Sequence, residues 1–253
     1  MIAWLQNESQ PLPPTSQALG PGSEAPGLLV AGGAITERRL NEAYSRGVFP
    51  WYSPGQPVLW WSPDPRMVLP IAEFRLTRSL RKAIARFAAA ANCELRIDSA
   101  RREVMLACAQ TPRDGQDGTW IMPEMVRAYC AWPAVHSVET WIDGQLVGGL
   151  YGVSLGRMFF GESMFSHRTD ASKIALAALV CFCRGNGIDL IDCQQRTGHL
   201  ASLGAREIPR TTFERLIVPR LREAAPRDWT YDPTHWLRLH TLPDAPRIEE
   251  PGP

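Results

Sequence analysis

Cysteine pairing is absent from this 253-residue sequence: the six cysteines, at 93, 108, 130, 181, 183 and 193, form no C-x-x-C, and no Cys/His spacing suits zinc. That excludes a disulfide framework or a zinc ribbon and leaves free thiols in a reducing compartment. Charge of one sign is also missing, since 27 Lys and Arg oppose 26 Asp and Glu for a net +1, so any anion-binding surface must come from local clustering. No apolar run is long enough to span a bilayer, and the start at Met1 lacks a positive n-region with a small-residue cleavage site, so a cytoplasmic protein without a membrane partner is expected. There is no G-x-x-x-x-G-K-[ST] and no G-x-G-x-x-G after a strand, which removes P-loop and dinucleotide chemistry. Gly161-Glu162-Ser163 fails as a nucleophile elbow because Phe165 takes the last position, and Ser172-Lys173 are adjacent rather than spaced as S-x-x-K. His136 and His199 lack visible metal partners, internal repeats are absent, and no metal or cofactor is expected.

What is present is a chain with 45% hydrophobic residues, enough for one large domain or two small ones. The stretch from Trp141 to Gln194 organises it. An alternating run from His136 to Ile142 stops at Asp143-Gly144, the dipeptide of a type I′ hairpin, and Leu146 to Leu155 returns as a strand. Gly144, Gly148, Gly149, Gly152 and Gly156 crowd that hairpin, which predicts bulges or close backbone approach. A further strand, Met158 to Phe160, runs into Gly161-Glu162, so Glu162 is expected at a strand end among large apolar neighbours. Asp170 can cap a helix whose body, Ile174 to Cys183, is apolar nearly all round and therefore buried; Gly185-Asn186-Gly187 ends it. In the last strand, Ile188 to Gln194, alternation puts Asp192 and Gln194 on one face and Cys193 on the other, where it packs as a small apolar residue.

Elsewhere, residues 8 to 26 are rich in Pro, Ser, Gln and Gly and read as an extended or disordered lead, giving a flexible segment over 1–26. Thr36 caps a short helix with Leu40, Ala43 and Tyr44 inward, closed by Gly47. Trp51, Trp60 and Trp61 follow on proline-stiffened backbone as an aromatic wall, with Trp60 and Trp61 equally readable as core and Trp51 standing between turn residues. A helix over Thr77 to Ala91 gathers Arg75, Arg78, Arg81, Lys82 and Arg86, which serve either as a solvated face or as phosphate contacts. Ser99 starts another helix, a polar loop from Thr111 to Gly118 leads to Trp120, and Pro123 opens a helix holding Tyr129. Thr197 to Leu203 reads as a short helix stopped by Gly204, and Thr211-x-x-Glu214 as a capping box for a helix ending near Pro219. The Pro-rich remainder carries Trp229, Tyr231 and Trp236, part of which can pack back, while the last residues fray.

Taken together these motifs resemble the leucyl/phenylalanyl-tRNA:protein transferase family. The stretches that carry the resemblance are GLLVAGG at 27–33, GVFPWY at 47–52, WWSPDPR at 60–66, TWI at 119–121, HSVETW at 136–141, LVGGLYGVSLG at 146–156, FFGESMFS at 159–166, ASK at 171–173, LIDCQ at 190–194 and ASLGA at 201–205. They run in one order from about Gly27 to Arg222. The resemblance implies an α+β protein in which a small N-terminal domain (27–70) precedes a GNAT-like acyltransferase domain (71–226) and a C-terminal tail (227–253). It implies that Leu or Phe moves from aminoacyl-tRNA to the α-amine of proteins beginning with Arg or Lys, marking them for degradation by the N-end rule. By position, Asp192 and Gln194 match the family's proposed catalytic pair, Glu162 the carboxylate proposed to read the basic acceptor, and Trp51 and Trp120 the aromatics near the terminal adenosine. The chain departs from the family pattern at Cys130 to Ala134, where a longer segment with a Leu-His pair is usual, and at Asp170, where Asn is common.

An aminoacyl ester needs only a neutral amine to attack it, and an α-amine with a pKa of about 7.7 to 8.0 is partly neutral at pH 7. Little base strength is then required, so Gln194 suits positioning of the amine better than proton abstraction, with Asp192 either orienting Gln194 or holding the proton itself. Leu150, Met164 and Phe165 are candidates for the apolar pocket around the transferred side chain. The other readings are a CoA-dependent N-acetyltransferase, against which Gln195-Arg196-Thr197-Gly198-His199-Leu200 fails the pyrophosphate-loop pattern at its final position, and a non-catalytic binding module for tRNA or basic N-termini. DNA is not an expected partner.

Overall fold

The structure, a computed structural model, describes residues 2–111 and 119–238. It is a mixed α+β fold with two sheets, as the sequence predicts. The smaller sheet has the order β1-β2-β4-β3, from Ala3–Leu5, Leu28–Gly32, Phe49–Pro50 and Leu59–Trp61, with α1 (Glu37–Tyr44) linking β2 to β3. The larger has the order β11-β5-β10-β9-β8-β7-β6. Its strands are β5 (Arg66–Pro70), β6 (Cys93–Ile97), β7 (Val135–Ile142), β8 (Gln145–Leu155), β9 (Met158–Ser166), β10 (Leu190–Gln194) and β11 (Arg206–Ile208). Residues 66–70 thus pair in the large sheet, although the sequence reading grouped them with the N-terminal domain.

Neighbouring strands of the large sheet run antiparallel except β9 and β10. A parallel pair needs a crossover, and α5 (Ala171–Gly185) supplies it. That helix is buried from Ala171 through Cys183 apart from Lys173, as its all-round apolar pattern requires. The Asp143-Gly144 turn forms with φ of 53° and 69°, the left-handed pair a type I′ hairpin demands. Close approach explains the hairpin glycines: a Cβ at Gly148 would lie 2.5 Å from the Cβ of Ala171, and one at Gly152 would lie 2.3 Å from the carbonyl of Phe160.

Several local expectations change. The N-terminal lead is not free: β1 pairs with β2, and the fully buried Arg39 donates to the carbonyls of Glu8 and Gln10 while Arg46 donates to those of Leu12 and Pro13. Asp170 precedes α5 but does not cap it with its side chain, which pairs instead with Lys173 at 3.0 Å. The helix after Ser99, α3 (Arg101–Gln110), takes its cap from across the sheet, where buried Glu139 accepts the backbone N–H groups of Ser99 and Ala100. Helix α7 (Arg210–Arg222) starts ahead of the Thr211 capping box and continues past Pro219.

Helix α2 (Arg78–Ala89) with its Thr77 cap, α4 (Pro123–Ala131) and α6 (Gly198–Ser202) lie where the sequence puts them. Trp229, Tyr231 and Trp236 pack back on the core, and α8 (His235–Arg238) lies against α5. The polar loop at 112–118 and the tail beyond 238 lie outside the described residues. Among the described residues no helix is long and apolar enough to cross a membrane.

Candidate active site

Strands β9 and β10 pair only where Phe159 faces Ile191 and Phe160 faces Asp192. Past those pairs the ladder ends. On β10 the register shifts between Asp192 and Gln194 against β5, and Gln194 takes a φ of 61°. A left-handed backbone costs a non-glycine residue about 1–3 kcal/mol, so something must hold it. Asp192 does: its Oδ1 accepts the backbone N–H of Gln194 at 2.9 Å.

Strict alternation would have put Asp192 and Gln194 on one face. The bulge breaks it. Gln194 and Cys193 both line a cleft of about 360 Å³, whereas Asp192 is fully buried outside that lining. Arg66 closes Asp192 off, donating from Nε to Oδ1 at 2.8 Å and from Nη2 to Oδ2 at 2.6 Å. The guanidinium is itself held between the rings of Phe49 and Phe213, each 4.8 Å away, and its Nη1 is buried without a partner among the described residues. With a cation on one side and the backbone on the other, Asp192 is an anchor. Burial holds the Cys193 thiol protonated, which removes it as a nucleophile.

Across the opening stands Glu162, in the middle of β9 and not at a strand end as expected, because β9 continues to Ser166. Its Oε1 accepts the side-chain amide of Gln194 at 2.7 Å and the hydroxyl of Tyr44 at 2.6 Å, and the Tyr44 oxygen lies 2.6 Å from that of Tyr129. Its Oε2 is buried with no partner among the described residues. Burial pushes this carboxyl up to about 8; nearby Asp192 adds to the rise, while Tyr44, Arg66 and Gln194 oppose it. The Tyr44 phenol is raised in turn, by burial first and then by Glu162.

The rest of the cleft is apolar with an aromatic rim. Trp51 and Trp120 line it, as do Leu150 and Met164, so four of the residues singled out for the aminoacyl end converge there. Trp51 is fixed edge-on against Trp61, whose indole N–H donates to the Trp51 carbonyl. Phe165 does not line the cleft; adjacent strand residues face opposite ways, so with Met164 in the cleft Phe165 packs fully buried into the other core layer. Arg75, Arg78, Arg81, Lys82 and Arg86 are all exposed on and beside α2, outside the cleft lining.

Sequence reasoning missed Arg66 and Tyr44 as parts of this site, and also Leu179, Ile191, Thr197 and His199 in its walls. Burial and Lys173 lower the pKa of His199, which keeps its imidazole neutral. For Arg66 a signal existed, a lone arginine closing the motif WWSPDPR, but nothing in the sequence names its partner on a distant strand.

The arrangement offers a hydrogen-bonding amide, a carboxyl with a free oxygen and an apolar, aromatic-rimmed cavity. A family model described as leucyl/phenylalanyl-tRNA protein transferase matches residues 68–218, and a model for the N-terminal domain of the same family matches residues 33–64. A leucyl/phenylalanyl-tRNA protein transferase of Methylibium petroleiphilum is 65% identical over 249 residues, covering 96% of this chain and 94% of that one. A protein of the same name from Leptothrix cholodnii is 60% identical over 244 residues, covering 94% of this chain and 95% of the other.

Proposed function

The chain belongs to the leucyl/phenylalanyl-tRNA protein transferase family, and on that premise we propose that it moves Leu or Phe from aminoacyl-tRNA to the α-amine of proteins beginning with Arg or Lys, in the cytoplasm, as a mark for degradation. The observation that carries this reading is the Gln194–Glu162 contact at 2.7 Å inside a cleft rimmed by Trp51 and Trp120. With one N–H of its NH₂ group donated to Glu162, the Gln194 amide is oriented and its carbonyl oxygen can accept an N–H from the incoming amine. The amine nitrogen then bonds to the ester carbonyl carbon, the bond from that carbon to the ribose 3′-oxygen breaks, and the proton lost by nitrogen ends on that oxygen. Gln194 orients and Asp192 fixes the backbone that presents it, so the chemistry rests on positioning.

In this reading Glu162 meets the acceptor's cationic side chain through Oε2, the oxygen that has no partner among the described residues. Trp51 and Trp120 stack with the terminal adenosine, and Leu150 and Met164, with Leu179 and Ile191, surround the leucyl or phenylalanyl group. The exposed basic side chains of α2 and Arg75 take tRNA phosphates. The end of the parallel β9–β10 ladder at Phe160 and Asp192, beside the cleft, supports reading the larger domain as GNAT-like, with the aminoacyl ester placed just beyond it.

The test mixes protein, leucyl-tRNA and peptides beginning with Arg or Met and follows peptide mass. Addition of one leucyl residue to the Arg peptide is expected. No addition to either peptide would refute the proposal.

A further inference from the structure

The Tyr44–Tyr129 hydroxyl pair lies beneath the cleft, and the reaction as described makes no use of it. Both phenols are fully buried, one from α1 beside the small sheet and one from α4, and their oxygens are 2.6 Å apart. Tyr44 donates to Glu162, so the hydrogen between the two phenols must come from Tyr129. The rings of Trp132 and Phe160 pack against Tyr44 and hold its ring in place. A directed chain therefore runs from Tyr129 through Tyr44 to Oε1 of Glu162.

We propose that Tyr44, held by Tyr129, is a specificity-determining positioning residue that stabilises the carboxylate form of Glu162 when the acceptor's cationic side chain binds. The inference rests on Glu162 being the reader of that cation. The groups that bear on Glu162 are Asp192 from β10, Arg66 from β5, Gln194 and Tyr44. Asp192 and Arg66 already compensate each other as a bidentate pair. Among the described residues, Tyr44 and Gln194 donate hydrogen bonds to the carboxyl, and of these two Tyr44 is the one that stays clear of the reacting amine. A hydrogen bond to the charged form of an acid favours that form, and burial works against it here. With a carboxyl at about 8, the cation must displace a proton when it binds near neutral pH, and each further rise makes capture weaker. The small domain thereby tunes acceptor selection in the large one through a hydroxyl that never touches substrate.

The experiment measures kcat and KM for an Arg-starting peptide with leucyl-tRNA from pH 6 to pH 9.5, in wild type, Tyr44→Phe and Tyr129→Phe. Tyr44→Phe keeps the ring and removes the donor. Its KM at pH 7 should rise about tenfold or more, and the excess should vanish toward pH 9.5 as Glu162 ionises in both proteins, with kcat little changed. Tyr129→Phe should shift KM in the same direction by less, because Tyr44 can still donate. A KM excess equal at all pH values, or no excess at pH 7, overturns the inference. If wild type fails to transfer leucine to the peptide, the function itself is refuted, an outcome distinct from both.

Discussion

Gln194 donates its side-chain amide to Glu162 at 2.7 Å, beyond the last pair of the β9–β10 ladder. A side-chain contact takes the place of a sheet pairing there, and the chemistry of the cleft is arranged around it.

Capture of a guanidinium should be pH-dependent in one direction. Glu162 sits near about 8, above its ordinary 4.5, so below that point it must release a proton to pair with a cation. An alkylguanidinium without an α-amine isolates this titration. Its Kd, read by calorimetry, should fall about tenfold per pH unit between pH 6 and pH 7.5 and level off above pH 8.5. A Kd flat across that range would leave Glu162 outside the binding step.

Stability should respond with the opposite slope. The folded chain holds on Glu162 a proton that the unfolded chain loses from about 4.5 upward, so stability falls as pH rises from there to about 8 and the loss is complete above it. Over the whole window this amounts to a few kcal/mol. Glu162→Gln should match wild type in denaturant unfolding at pH 5 and exceed it at pH 8.5. A difference independent of pH would mean that the carboxyl ionises freely in the fold.

Asp192 should prove an anchor by its coupling to Arg66. Asp192→Asn leaves a fully buried guanidinium without its counter-charge, which costs about 3–5 kcal/mol, and it weakens the acceptor that holds the strained Gln194 backbone. Lower Tm and lower kcat are expected together. Adding Arg66→Met should recover much of the Tm without restoring kcat. If Asp192→Asn keeps wild-type Tm and turnover, neither the anchor nor a required carboxylate survives.

On the tRNA side, stacking and charge should separate by salt. Trp51→Ala should raise KM for leucyl-tRNA by the equivalent of about 1–3 kcal/mol at every salt concentration. Arg78→Glu with Arg81→Glu should instead flatten the dependence of binding on salt, since released counterions set that slope. Unchanged slopes in the double variant would return α2 to a solvated surface.

Much of this fold was legible because it is encoded locally. The Asp143-Gly144 turn, the Thr36 cap and the apolar body of α5 each depend on residues a few positions apart, and each formed as read. The site was legible only as a roster. Its geometry depends on one left-handed residue at Gln194, for which neither Asn nor Gly gives warning, so alternation mistakenly put Asp192 beside Gln194 and Cys193 behind them. Arg66 and Tyr44 escaped notice for another reason: each meets its partner across more than a hundred residues of chain, and local patterns read them as a motif end and a packing face. The lead segment shows the same limit, since its composition suits disorder but Arg39 and Arg46 bind its carbonyls.

The central claim, that Glu162 and Gln194 read and orient a basic N-terminus in one cleft, is tested most directly by a ratio. The measurement is kcat/KM for an Arg-starting peptide over that for a Met-starting peptide, with leucyl-tRNA as donor, in wild type and Glu162→Gln. Removing a buried charge partner costs about 2–5 kcal/mol, so the variant's ratio is expected to fall roughly thirtyfold or more. A ratio that survives the substitution unchanged would contradict the claim.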